Sequence, residues 1–395
     1  MKKAIVLAAN YSYADQVRTT IKSVCYHNRD IKFYLINSDF PNEWFINLNK
    51  KLEKLNSEIV NARVDINQVN RYKTDISYTV FLRYFIPDFV EEDVALYLDC
   101  DLVVTKGLDE LFSVELENYS LAAVKDLGGL NYYNEVIFNA GVMLVNNKKW
   151  KEDNTLQKLI DLTNEFHNKV SQADQSILNM LFKDNWLELD FSYNAITLHT
   201  NFAKYDILAD DYPTIIHYLT ERKPWKIYSQ CVFREVWWFY NNLDFINIDG
   251  DVPELYKNMI VSNFEKTVLV YTYTDSLLNI DYLIRNLPKV KFVVAAPVVV
   301  SHNISRLLKY SNVEIASDIA VIRGFGSYLI SISDILLDIN YGGEVDNVVS
   351  LFAEQNKPVL AFKSMKHGEQ GQVVFEDNTP EDMVNYIKST LMKNI

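Results

Sequence analysis

Asp99 and Asp101 flank a single residue where the apolar run Val94–Leu98 ends. Side chains two apart on a strand point to the same side, roughly 7 Å apart. Two carboxylates so placed can hold a hard divalent cation, and that cation can bridge a diphosphate. The carboxyl edge of an open α/β sheet is also where such sheets bind ligands. The same spacing equally suits two solvated turn carboxylates, one of them capping the next element, so the tripeptide alone decides nothing.

The elements that would position this pair read as alternating strands and helices. Apolar runs at 3–9, 32–37 and 94–98 predict buried strands; helical patterning covers 16–26, 42–55 and 79–86, the last stopped by Pro87. Such alternation predicts a parallel or mixed sheet covered by helices on both faces. The turn-rich stretch 247–253 then separates a second α/β region. There, strands are expected at 268–273, 290–300, 334–339 and 358–362, and helices at 276–286 and 344–355. Thr379-Pro380-Glu381-Asp382 reads as a capped helix start. The expected fold class is α/β, a mixed-sheet domain over residues 1–250 followed by a smaller parallel α/β domain over 251–395. No fixed-period repeat interrupts it.

Composition excludes several classes. The 395 residues carry 39 Lys and Arg against 52 Asp and Glu, a net charge of −13. So acidic a chain is poorly suited to non-specific binding of nucleic acid or anionic membrane. With 49% hydrophobic residues, 11 Gly and 9 Pro, it is neither collagenous nor wholly disordered. Cys25, Cys100 and Cys231 are too scattered for a disulfide framework or zinc ribbon and fit a reducing cytoplasm. The apolar run after Met1-Lys2-Lys3 is too short for a signal peptide, and the later run 292–300 contains Pro297, so no transmembrane segment is expected. The 25 Tyr, 21 Phe and 6 Trp suit flat, partly apolar ligands such as sugars and bases as well as a core.

Five further segments give the carboxylate pair a context. They are Ala8-Ala9-Asn10-Tyr11-Ser12-Tyr13, Phe138-Asn139-Ala140-Gly141-Val142, Gln172-Ala173-Asp174-Gln175, His217-Tyr218-Leu219-Thr220 and Lys223-Pro224-Trp225. Taken in this order with Leu98-Asp99-Cys100-Asp101, they make the first 240 residues or so resemble glycosyltransferase family 8. The resemblance implies a GT-A (Rossmann-like) fold and a retaining, metal-dependent enzyme that uses a UDP-sugar. It assigns Mn²⁺ to Asp99, Asp101 and His217, and backbone near Cys100 to the ribose. Ala8, Asn10 and Tyr13 would meet the uracil, although Tyr13 alone also reads as an ordinary loop residue. Lys223 would neutralise the departing pyrophosphate. Arg83, in the apolar stretch Val80–Ile86, would contact the donor sugar and support the carboxylates, and Asn139, Ala140 and Gly141 would lie against that sugar. Where the family usually carries a glycine between the histidine and the lysine, this chain has Thr220, which puts the local backbone geometry of that loop in question.

Asp174 and Gln175 carry two readings. Ser171 to Asp174 spells a capping box before a helix at 172–182, while the resemblance places Asp174 on the sugar hydroxyls and Gln175 near the anomeric carbon, as the catalytic pair. An amide is a poor nucleophile and no carboxylate nucleophile stands out, which favours a same-face displacement in which the leaving phosphate helps deprotonate the acceptor. Trp225, Trp237, Trp238, Phe239 and Tyr240 fit an acceptor-sugar platform or a seal between the two regions equally well. Gly342-Gly343 reads as a tight turn with no basic residue at hand. The expected function is transfer of a hexose, galactose favoured and glucose an alternative, to a glycan acceptor. Resemblance to bacterial adhesin-glycosylation enzymes points to a sugar on a Ser/Thr-rich glycoprotein, with lipopolysaccharide or teichoic-acid glycans as alternatives, and to association with other glycosyltransferases of such a pathway. A sugar- or nucleotide-binding module that has lost catalysis is the competing class.

Overall fold

The structure, a computed structural model, describes all residues except 1, 66–76, 127–135, 167–168, 171, 198–211, 221–222, 227–230, 232, 249–263, 318, 322–324, 369–370 and 393–395. The chain divides into two compact units. The first takes Met1–His199, Pro213–Leu219 and Val236–Asp251; the second takes Thr200–Tyr212, Thr220–Glu235 and Val252–Ile395.

Among the described residues the first unit has ten strands: β1 (Lys3–Ala8), β2 (Ile31–Asn37), β3 (Glu58–Arg63), β4 (Val94–Leu98), β5 (Leu102–Val104), β6 (Leu121–Lys125), β7 (Phe138–Asn146), β8 (Trp186–Leu189), β9 (Ala195–Ile196) and β10 (Ile215–His217). Seven form a mixed sheet in the order β3-β2-β1-β4-β7-β6-β8. β1 pairs in parallel with β2 and β4, whereas β7 runs antiparallel to β4 and β6. Ile5, Val6 and Leu7 are fully buried although successive side chains face opposite ways, because helices and loops cover both faces. The strand order reverses between β1 and β4, so their carboxyl ends open the crevice in which ligands of such sheets bind. β5, β10 and β9 form a small second sheet, with His217 of β10 opposite Leu102 of β5.

Helix α1 (Ala14–His27) shields the outer edge of β5. The Thr20 hydroxyl donates to the Leu102 carbonyl at 3.0 Å, and the Ser23 hydroxyl accepts the Val104 amide at 2.9 Å. These bonds satisfy strand groups that would otherwise be an exposed edge. α1 also packs against Phe239 and Tyr240 of the helix Arg234–Asn242. Trp237, Phe239 and Tyr240 are buried, the Tyr240 hydroxyl lies 2.7 Å from His27 Nε2, and Tyr26 packs edge-on to Phe239. Those three rings are core of the first unit, which corrects their reading as a glycan platform. Burial, with Arg29 nearby, pushes the His27 ring down to about 4, so it stays neutral.

The second unit has one sheet of described strands: β11 (Lys266–Tyr271), β12 (Val290–Ala295), β13 (Val313–Ala316), β14 (Ile335–Asp338), β15 (Val359–Phe362) and β16 (Gln372–Phe375). Its order is β13-β12-β11-β14-β15-β16, and every pairing is parallel. The fold class is therefore the expected one, a mixed α/β sheet followed by a smaller parallel α/β sheet. Among the described residues no helix is long and apolar enough to cross a membrane.

Several element boundaries differ from the sequence reading. Residues 79–86 are not one α-helix ended by Pro87. Tyr78–Phe85 winds in tighter 3₁₀ turns, and Pro87 sits in the first turn of a short helix, Ile86–Phe89, where its missing N–H costs no bond. The strand expected over 290–300 stops at Ala295, before Pro297. The helix expected from 276 begins at Ile280, because Leu277 first bridges to Asn340 and Asn279 turns left-handed, at φ 56°. The helix expected from 344 begins at Val348, after left-handed Asp346 and Asn347. Thr379 stands at the start of the helix Pro380–Tyr386, but its buried hydroxyl finds no partner among the described residues and caps nothing.

Candidate active site

The carboxyl ends of β1 and β4 frame a cleft of about 220 Å³ lined by Ala8, Ala9, Asn10, Tyr13, Thr79, Val80, Arg83, Asp99, Cys100 and Asp101. A larger, more open hollow of about 510 Å³ lies between Lys2, Ile46, Lys50 and Glu58, and among the described residues no metal-ligating cluster faces it. Asp99 and Asp101, two members of the candidate metal-ligating group, line the smaller cleft.

Asp99 and Asp101 follow β4 directly, and pairing of β10 with β5 carries His217 to them from 116 residues away. His217 is completely buried, with Nε2 3.1 Å from Asp101 Oδ1 and 3.8 Å from Asp99 Oδ2. The two oxygens of Asp99 have different duties. Oδ1 accepts the Tyr97 hydroxyl at 2.7 Å and Arg83 Nη2 at 2.9 Å, which turns Oδ2 toward His217. One ligand atom from each of Asp99, Asp101 and His217 lies within 4.8 Å of the others. Gly141 of β7 runs so close to this cluster that no side chain would fit there. Two carboxylates and an imidazole are an O,O,N donor set that can hold a divalent cation. The residues fit a divalent cation: Asp99, Asp101 and His217 would hold it, and it would supply charge neutralisation to a diphosphate.

Arg83 ties the cleft's two sides together. Its side chain is almost wholly buried, Nη1 donates to the Ala140 carbonyl at 2.7 Å, and the guanidinium stacks 4.6 Å from the Tyr97 ring centre. Nε lies 3.0 Å from Asp174 Oδ2, near enough for an ion pair but off the hydrogen-bond axis. Burial disfavours the Arg83 charge, yet Asp174 and Asp99 outweigh it and hold the guanidinium firmly protonated. Burial pushes the Asp174 carboxyl up to about 6, against the pull of Arg83 and with the push of Asp99. Cys100 is a buried thiol whose Sγ faces the Ala8 carbonyl at 3.6 Å, and burial beside two carboxylates keeps it protonated and unreactive.

Asp174 and Gln175 open the helix Ala173–Leu181. Its Ncap is Gln172 without a side-chain cap; Ser171, the expected capping residue, lies outside the described residues, and Ser176 Oγ accepts the Gln172 amide at 3.1 Å. Ala173 is left-handed, at φ 46°, a strained start for a helix that carries site residues. Gln175 Oε1 accepts from Asn139 Nδ2 and from the Ala140 amide, both at 3.1 Å. Asn10 closes β1's exit, its Oδ1 accepting the Ser12 hydroxyl, and Tyr13 is 40% exposed at the cleft wall.

The first unit thus brings together Ala8, Asn10, Tyr13, Arg83, Asp99, Cys100, Asp101, Asn139, Ala140, Gly141, Asp174, Gln175 and His217. Thr220 and Lys223 belong to the second unit and are not in that set. Thr220 has φ 60°, the left-handed backbone that a glycine takes freely, and Lys223 Nζ lies 5.9 Å from the Trp225 ring centre. Three polar residues escaped the sequence reading. Tyr97 announces itself only through its i, i+2 spacing to Asp99. Asp126 ends β6 much as Asp99 ends β4, and its Oδ2 accepts Gln175 Nε2 at 2.8 Å. Asn194, fully buried in a short 3₁₀ turn, has no signal beyond being polar; its Oδ1 is 2.9 Å from His217 Nδ1.

Residues 4–228 match the model of glycosyl transferase family 8, and residues 268–395 match that of the GftB/GlyA-F C-terminal domain. A probable glycosyl transferase, Gly, of Streptococcus gordonii is 53% identical over 98% of this chain and 57% of its own length. The chain thus spans a little over half of that relative. Glycosyltransferase GlyB of Streptococcus pneumoniae is 38% identical over 98% of both chains. The crystal structure of glycosyltransferase GlyE from Streptococcus pneumoniae is 32% identical with a TM-score of 0.54, covering 98% of this chain and 99% of the other. With the family model spanning more than half of its length and relatives matching from end to end, this chain belongs to glycosyltransferase family 8.

Proposed function

We propose that this glycosyltransferase moves a hexose from a UDP-sugar to a glycan acceptor with retention at the anomeric carbon, using Mn²⁺. The observation that carries the reading is the convergence of Asp99, Asp101 and His217 beside a cleft walled by Asn10, Tyr13 and Arg83. Tyr13 offers a ring face to uracil, Asn10 a polar group to its edge, and the carboxylate–imidazole cluster a seat for the cation that bridges the diphosphate. Asn139, Asp174 and Arg83 bind and orient the sugar. Gln175 lies against the anomeric carbon as an orienting amide, with its oxygen already engaged by two donors, which supports same-face displacement over attack by Gln175. Lys223 stabilises the leaving diphosphate.

Galactose is the favoured hexose and glucose the alternative. The acceptor is a sugar already attached to a Ser/Thr-rich glycoprotein; lipopolysaccharide and teichoic-acid glycans are the competing acceptors. The enzyme works in the cytoplasm alongside other glycosyltransferases of the same pathway. Thr220 favours a second reading, a weakly catalytic UDP-sugar-binding module, because a β-branched residue at φ 60° strains a loop where the family has glycine.

Metal-dependent UDP release from a panel of UDP-sugars, without acceptor, tests the assignment. UDP-galactose should be hydrolysed slowly with Mn²⁺, and Asp99→Asn or Asp101→Asn should lower release by roughly 100-fold or more. Undiminished turnover in excess chelator would sink the metal reading, and binding of UDP with no turnover of any sugar would favour the binding module.

A further inference from the structure

Gln175, Asn139, Asn194 and His217 join into one hydrogen-bonded line that ends on Asp126. Gln175 Nε2 donates to Asp126 Oδ2 at 2.8 Å, Asn139 Nδ2 donates to Gln175 Oε1 at 3.1 Å, and Asn194 Nδ2 donates to Asn139 Oδ1 at 2.8 Å. The last link is His217 Nδ1 to Asn194 Oδ1, at 2.9 Å. Side-chain amides can be turned over in principle, but two backbone amides prevent it here. The Ala140 N–H, which can only donate, requires the oxygen of Gln175, and the Gly141 N–H likewise requires the oxygen of Asn139. Asn194 must then present its nitrogen to Asn139 and its oxygen to the ring. An oxygen at that place requires a proton on His217 Nδ1, so Nε2, which faces Asp99 and Asp101, is the nitrogen that can give its lone pair to a cation held between them.

We propose that Asn194 is a positioning residue for the metal-binding histidine: through a one-way line of amides set by Ala140 and Gly141 and terminated by Asp126, it fixes the His217 tautomer that can ligate a cation. The proposal rests on the metal reading of Asp99, Asp101 and His217. Histidine ligands generally donate their second N–H to a fixed acceptor, and loss of that acceptor costs 10–100-fold in metal affinity. Here the acceptor is itself held, and the line makes a graded prediction. Asn139 remains oriented by the Gly141 amide even when Gln175 is removed, so damage should fall with distance from His217.

The test is Mn²⁺ binding to the full chain without sugar donor, followed by the loss of the free Mn²⁺ paramagnetic signal. Asn194→Leu, which removes the acceptor, should weaken Mn²⁺ by roughly 10–100-fold. Asn194→Asp keeps an acceptor for Nδ1–H but turns an oxygen toward Asn139 Oδ1 where a donor stood, so it should bind Mn²⁺ more weakly than wild type yet more tightly than Asn194→Leu, a rescue that a purely structural role would not give. Gln175→Ala should bind Mn²⁺ like wild type. Should Asn194→Leu fail to fold, a loss in Gln175→Ala as large as that in Asn194→Asp, or larger, and more than about tenfold, would still overturn the proposal. Wild-type binding with Asn194→Leu unimpaired would overturn the amide line alone, and no Mn²⁺ binding by wild type would overturn the metal reading beneath it.

Discussion

A β-carbon built on Gly141 would lie 2.1 Å from Cε1 of His217 and 2.9 Å from Oδ2 of Asp99. Since real atoms do not approach so closely, the backbone of β7 forms one wall of the carboxylate–imidazole cluster, and its shape depends on the missing side chain.

Gly141→Ala should therefore displace the His217 ring while leaving the sheet intact. Overpacking costs about 1–3 kcal/mol, and a misplacement of about 1 Å at the site lowers rate by roughly 100-fold. Calorimetric unfolding and Mn²⁺-dependent UDP release, measured on the same preparation, check both halves. A variant with wild-type release would mean that His217 does not need its present place.

Binding and chemistry should separate at Tyr13 and Gln175. Tyr13→Ala removes a partly exposed ring at the cleft wall and should weaken UDP by roughly 10-fold, the scale of a lost base–aromatic stack. Gln175→Ala should lower turnover with UDP affinity within about twofold, because it faces Asn139, Ala140 and Asp126. Titration calorimetry with UDP decides, and equal losses in both variants would refute the division.

The second unit should lose stability as pH rises. His367 Nε2 lies 2.6 Å from the Gly342 carbonyl, which only accepts, and Nδ1 lies 2.6 Å from Asp338 Oδ1. Burial opposes the ring's charge, but the hydrogen bond and charge of Asp338 outweigh it and raise His367 above its usual 6.5. A raised value in the folded state gives stability that is complete below about 6.5 and is lost as pH climbs through the folded value. Melting of the full chain between about pH 6 and 9 should show this decline, and Asp338→Asn should flatten it. A wild-type profile that rises over that range would show the sign to be wrong.

Thr220→Gly should raise stability slightly. Relief of a left-handed β-branched residue is worth about 1–2 kcal/mol, and the extra freedom of glycine in the unfolded chain returns about 1 kcal/mol of it. Denaturant unfolding should show a gain of up to about 1 kcal/mol with UDP release retained. A loss of stability would show that the threonine side chain makes contacts worth more than the strain.

Strands β1 and β4 were legible because each is an uninterrupted apolar run closed by polar residues, and their carboxyl ends give away the crevice. The approach of His217 was not legible from periodicity. It depends on β5, β9 and β10, which are two or three residues long and show no period, so only the family resemblance pointed to it. Helix starts were misjudged where Asn279 and Asn347 turn left-handed, a local backbone choice that hydrophobic patterning does not register. Asp126 and Asn194 stayed invisible because what distinguishes them is orientation: which atom of each faces which neighbour.

The wholly parallel sheet of the second unit has a consequence for how the protein is made. Its central strand β11 waits for β12 and β14; Val268 finds Ile335 only after 67 further residues have been synthesised. No pair in that sheet can close as a hairpin, since each needs a crossover before its first rung forms. Assembly of this unit is accordingly slow, with apolar strands such as Val290–Ala295 uncovered in the meantime. Substitutions in β11 or β14 would therefore act first on yield and solubility, before any effect on the folded molecule.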